Sequence, residues 1–166
     1  MSGRHETTRE RADRRWNDLL QEVRVSQTGA QIIFGFLIGV AFTPRFAGLS
    51  AFDKNLYIVT VVLGAFATGS LIAPVAFHRF LAGHDLKPEL IHIAARLIAV
   101  GLVLLALTIS AAVLLLLRAA TDNAVLSAVL GAAVLLWFTT AWLLLPRLVL
   151  HRAAARRARE RGRDEP

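Results

Sequence analysis

LIAVGLVLLALTISAAVLLLL, residues Leu97–Leu117, runs for 21 residues without a charge. A bilayer core of ~30 Å needs roughly 20 helical residues, so this stretch is long enough to cross one. It shows no alternation of polar and apolar positions, and a sheet in lipid must close into a barrel of alternating strands. The reading is a transmembrane helix. An amphipathic lead from Leu90 lengthens it, and the span is set at 92–117. Three further stretches qualify. The first, 28–43, is an apolar block from Gly29 to Phe42 with uncharged Ser26, Gln27 and Thr28 ahead of it. Leu56–Phe77 is 22 residues without a charge, giving a span of 56–77, and Val125–Leu145 is 21, giving 124–145. Short connections force sequential neighbours to run antiparallel. The expected fold class is all-α, a four-transmembrane-helix up-down-up-down bundle with an N-terminal amphipathic helix.

Composition agrees. Of 166 residues 55% are hydrophobic, above the ~45–50% of ordinary globular chains, and mean hydropathy is +0.54. The absence of Cys excludes disulfides, thiolate metal sites, cysteine nucleophiles and palmitoylation. Basic residues set the orientation. Sixteen of the nineteen Lys and Arg lie ahead of the first span, between the second span and the charge-free part of the third, or in the tail; Arg45, Lys54 and Arg118 alone fall on the other side. Both termini are therefore expected in the cytoplasm, against a bacterial inner membrane. A signal peptide is disfavoured, because the apolar block starts only after a long charged segment. The net charge of +7 is explained by this bias and by attraction to anionic headgroups. The Arg-rich tail has no aromatic platform, so a nucleic-acid partner is not expected. Seventeen Arg against two Lys, with abundant Ala and Leu, fits a GC-rich bacterial coding bias.

Three segments follow: 1–27, a cytoplasmic amphipathic helix; 28–146, the transmembrane domain; and 147–166, a basic cytoplasmic tail. Thr7-Thr8-Arg9-Glu10 has capping-box form, and Ala12, Trp16, Leu19, Leu20 and Val23 make one apolar stripe. No Pro or Gly follows until Gly29, so this helix either bends there or runs straight into the first span. Asp122 or Asn123 can cap the fourth span, and Pro146 marks its inner end.

The first span has the most informative face. Arg24, Gln27, Thr28, Gln31, Gly35, Gly39 and Thr43 recur at helical spacing as one polar and small stripe. Lipid would leave the Gln amides without partners, so the stripe should face protein or water. Gly35 and Gly39 form a small-xxx-small element that permits close helix contact. The leading expectation is a packing seam, inside the bundle or between protomers; the rival is the lining of a hydrated path. Thr60, Gly64 and Thr68 of the second span are the expected partners of this stripe. Ser70, Pro74 and His78 share another face, where Pro74 should kink the helix near an inner mouth.

His78, His84 and His92 have spacings that place no two imidazoles on one helical face, and no metal or other cofactor is expected. Titration of His78 at the membrane boundary is the alternative to a plain interfacial role. Arg96 should snorkel or pair with Asp18 or Glu22. No Asp or Glu falls within a span, whereas carriers coupled to protons or sodium generally use such a group. No phosphate-binding glycine motif, paired carboxylates or Ser/His/Asp set is found. An enzyme is not expected.

Residues Arg15–Gln31, RWNDLLQEVRVSQTGAQ, and Ile72–Arg79, IAPVAFHR, carry a resemblance. With them the chain resembles a family of small bacterial four-helix integral membrane proteins of unknown function. Some relatives carry a sodium:proton antiporter label. The resemblance covers nearly the whole chain, implies the four-span topology and points at Arg24, Gln27, Thr28, Gln31, Pro74 and His78. It implies no reaction. The expected role is thus a non-enzymatic structural or interaction component, as a homo-oligomer or in a membrane complex. The alternative is an ion or small-solute conductor, for a cation or proton, built on the stripe.

Overall fold

The computed structural model describes residues 8–81, 87–121, 123–149 and 152–153. Every regular element among them is helical: α1 (Thr8–Val40), α2 (Pro44–Ala47), α3 (Ala51–Leu81), α4 (Lys87–Thr121) and α5 (Ala124–Phe138), the last continued by a π-helical segment, Thr139–Leu144. Four stretches are long and apolar enough to cross a membrane: Val23–Val40, Ala51–Phe77, His92–Thr121 and Ala124–Val149. Thr7, His84, most of the basic tail, and the side chains of Trp16, Glu22, His78 and Asp122 lie outside the described residues.

α1 is one helix of 33 residues, about 50 Å long at 1.5 Å per residue. The amphipathic segment therefore runs straight into the first apolar stretch, with no break in the helix near residue 27. Nothing in Thr8–Gly29 interrupts the backbone ladder, since the stretch holds no Pro and its first Gly is Gly29.

Three helices make the core. On α3 the buried positions are Tyr57, Thr60, Gly64, Ala67, Leu71 and Pro74, a strict three-four spacing. On α4 Ala94, Gly101, Leu105, Thr108 and Leu115 are buried, and on α1 Val23, Ala30 and Leu37, seven apart. Such a repeat keeps one narrow seam facing its neighbours along slightly supercoiled helices. α3 and α4 share the most extensive interface; α1 packs on α3 and less on α4; α5 leans on α4. Lipid tails are as apolar as Leu, so burial of leucine drives little here and close packing of small residues does more. Small residues stand at the close approaches. A Cβ on Gly101 would lie 2.8 Å from Leu71 Cγ, and one on Gly131 would lie 3.1 Å from Leu114 Cβ.

Caps and proline turns follow from local chemistry. Asn123 caps α5, its side chain accepting from the Leu126 N–H at 2.9 Å. Ser50 caps α3: its Oγ accepts from the Asp53 N–H at 3.1 Å and donates to the Asp53 carboxylate at 2.6 Å. The hydroxyl thus satisfies one free N–H of the first turn and also holds the Asp53 carboxylate. Pro146 does not end the fourth helix, which stays helical over 145–149. Pro146 lacks an N–H for the carbonyl four residues back, and the preceding segment adopts the wider π register. There the Leu145 N–H reaches the Thr140 carbonyl.

Candidate functional site

The polar stripe of α1 divides when the helix packs. Its buried line is Val23, Ala30 and Leu37, flanked by half-buried Ser26, Gln27, Ile33 and Phe34. At about 100° per residue, Arg24, Thr28, Gln31, Gly35 and Gly39 lie on the far side of the helix from that line. All five are exposed, and a Cβ on Gly35 or Gly39 would meet nothing within 4 Å. Thr43, beyond the helix end, is exposed too and donates to the Val40 carbonyl at 2.7 Å. The expectation of a seam inside the bundle is therefore corrected. A packing helix in lipid has apolar residues on every side, so the stripe could not reveal which face turned inward.

Gln27 is the exception. Its Nε2 donates to the Leu71 carbonyl of α3 at 2.7 Å. Pro74, three residues on and buried, has no N–H to give the Ser70 carbonyl. The amide of α1 thus enters the turn of α3 that Pro74 perturbs. Neighbouring helices commonly satisfy backbone groups near a membrane proline in this way. Gln27 and Pro74, separate features in the sequence, thus come to the same turn of α3.

Thr60, Gly64 and Thr68 do not meet the stripe. Thr60 is wholly buried, Gly64 is buried and Thr68 half-buried. Gly64 faces Phe34 and Leu37 of α1 and Thr108 of α4, which is the apolar flank of α1. The hydroxyls bond their own helices: Thr60 to the Leu56 carbonyl at 2.7 Å, Thr68 to Gly64 at 2.8 Å and Thr108 to Leu104 at 2.8 Å. Each buried donor is satisfied locally. Beneath them Ala30, Ala67, Leu71 and Leu105 form an apolar cluster. Thr28 also bonds back, to the Arg24 carbonyl at 3.0 Å. Among the described residues the Gln31 amide makes no hydrogen bond.

Ser70 is half-buried beside Pro74, and the backbone of His78 continues α3. His92 and Arg96 are exposed. Arg96 lies two residues past buried Ala94, roughly 200° around the helix, so it points away from the buried line of α4. Among the described residues it forms no pair with Asp18, which is itself exposed.

The sequence reading missed a cluster at the end of the bundle that carries α2. Arg118 of α4 donates through Nε to Asp53 of α3, and its guanidinium lies 4.7 Å from the Phe52 ring centre. Arg45 donates to the Ala119 carbonyl at 2.7 Å, and Lys54 to Ala47 at 3.1 Å. Phe46 meets Tyr57 edge to face at 4.9 Å, and the Tyr57 hydroxyl donates to the Leu37 carbonyl at 2.8 Å. The three cations assigned to this side thus tie together α2, α3 and α4, and the Tyr57 hydroxyl joins α1 to them. The Ser50-x-x-Asp53 spacing was the available signal for the cap; nothing local pairs Asp53 with a residue 65 positions away.

Four helices long and apolar enough to cross a membrane, three of them packed about a seam of small and apolar residues, define an all-α membrane protein. Residues 5–146 match the profile of a family of unknown function (DUF6328), and the chain belongs to that family. No curated protein matches it, and neither does any solved structure.

Proposed function

We propose that this protein is a non-enzymatic, self-assembling component of the bacterial inner membrane, with both termini in the cytoplasm. Its copies meet through the outward face of α1. The observation that carries this reading is Gln31, a carboxamide exposed near the middle of a membrane span without a hydrogen-bond partner among the described residues. Leaving such a group in hydrocarbon is costly. A second copy answers it with the same group, since one amide both donates and accepts across a two-fold axis. Gly35 and Gly39 continue the face one and two turns on, where open space lets backbones approach. Basic residues at the opposite end from α2 support the orientation. The satisfied hydroxyls and apolar interior favour this role over conduction through a single chain.

Energy transfer between labelled copies in liposomes tests the proposal. Gln31→Leu and Gly35→Leu should each weaken association several-fold while the far-ultraviolet signal stays helical. Interhelical hydrogen bonds in membranes contribute about 0.6 kcal/mol and up to ~1.7, so the expected change for Gln31→Leu is roughly three- to twentyfold. A wild type that stays monomeric at high protein-to-lipid ratio refutes the reading. So does an ion flux abolished by Gln31→Leu while assembly persists.

A further inference from the structure

An apolar crevice opens between α1 and α4 on the side of the molecule away from α3. Phe36, Leu37 and Val40 line it from α1, Leu115 and Leu116 from α4, and Arg45 and Thr43 lie where it meets the α2 end. Its volume is about 630 Å³, within the ~300–1,000 Å³ typical of ligand sites. From Val40 down to Ile33, and from Ala119 to Ala112, its walls run seven residues, about 10 Å at 1.5 Å each. It therefore starts at the membrane boundary and descends parallel to the helices toward the bilayer middle.

We infer that this crevice holds one acyl chain of a bilayer phospholipid with an anionic headgroup, the headgroup sitting against Arg45. Charge and position both argue for that occupant. Asp53 holds Arg118, whereas among the described residues no carboxylate pairs with Arg45. The guanidinium uses one N–H₂ on the Ala119 carbonyl, leaving donors that fit a phosphate oxygen. The crevice mouth faces sideways at a depth where lipid is the solvent, and an acyl chain matches its apolar walls. By the 100° rotation per residue, Phe36 and Val40 lie about 140° and 180° around α1 from Gln31, the residue on which association is argued. The site therefore stands whether or not copies associate through the other face.

The test uses the full chain in vesicles, with a photoreactive group near the end of one acyl chain of either phosphatidylglycerol or phosphatidylcholine. Mapping labelled residues by mass spectrometry separates the crevice from lipid gathered by the basic termini at the other end. Phosphatidylglycerol should label Phe36, Leu37 and Leu116 at least fivefold more than phosphatidylcholine. Arg45→Gln should bring that ratio close to one, whereas Arg45→Lys, which keeps the charge, should retain a preference. Ala112→Phe, which fills the crevice, should remove labelling of these residues with both lipids. Equal labelling by the two lipids in the wild type overturns the proposal, as does an unlabelled crevice. A preference that survives Arg45→Gln, or is lost equally in Arg45→Lys, also overturns it.

Discussion

Replacing Gly101 by Ala should destabilise the protein, although alanine is the better helix former. The added Cβ would stand 2.8 Å from Leu71 Cγ, 2.9 Å from Cδ2 and 3.3 Å from the Leu71 nitrogen. Leu71 is wholly buried, and its backbone belongs to α3, so it cannot swing aside into solvent. Overpacking of this kind costs about 1–3 kcal/mol. Against it stands the helix-propensity gain from Gly to Ala, about 0.8–1.0 kcal/mol. With backbone behind the clash the cost falls in the upper part of its range, and the net loss is about 1–2 kcal/mol. Gly69 supplies the control, since it is exposed and a Cβ there would meet nothing within 4 Å. Gly69→Ala should be neutral or gain up to ~1 kcal/mol. Titration of helicity with a denaturing detergent reads both variants, and their difference of about 2 kcal/mol isolates the contact from propensity. Since any shift of Leu71 also displaces the carbonyl that Gln27 reaches, Gly101→Ala and Gln27→Leu should couple by ~0.5 kcal/mol or more. If Gly101→Ala matches Gly69→Ala in stability, the close approach of α3 and α4 at this level is refuted.

Asp53→Asn removes the charge that Arg118 faces while keeping an acceptor. The pair lies at the end of the bundle, so the loss should be small and shrink as salt rises; a salt-independent loss contradicts an ionic contribution. Gly131→Ala places a Cβ 3.1 Å from Leu114 Cβ, and only Ser127 and Gly131 of α5 are buried. The helix should shift outward, with at least tenfold faster amide exchange over Ala124–Phe138 than over α3; equal protection in the two helices refutes this.

Much of the architecture was readable from hydropathy because a bilayer imposes a length on anything that crosses it. Leu97–Leu117 is unmistakable on that ground. The seam was less legible. Tyr57, Thr60, Gly64, Ala67, Leu71 and Pro74 share a three-four spacing, yet Phe66 and Val62, exposed beside them, are just as apolar. The stripe on α1 was visible as a set, but its partner was not, because polar spacing records which residues share a face and not where the face points. Gln27 shows the limit well: one residue of the stripe turns inward by its position beside Ala30, and the bond to Leu71 spans 44 residues. Pro146 likewise reads as a stop, and only the π register of Thr139–Leu144 lets the helix pass it.

For a protein surrounded by lipid, exposure has the opposite meaning from its meaning in water. Exposed Val25, Phe36 and Val59 require no explanation there, since hydrocarbon receives them as readily as a protein core would. Gln31 does require one, because it is polar, outward and at mid-span. The same logic separates Arg45 from Arg118. Both stand at the α2 end, but Arg118 has its carboxylate and Arg45 is left with a carbonyl and an apolar trough. The two faces of α1 thus ask for different company: one amide and two glycines for a like helix, one cation and a greasy channel for an anionic amphiphile. A single substitution on either flank should leave the other's partner in place, so the two associations can be lost one at a time.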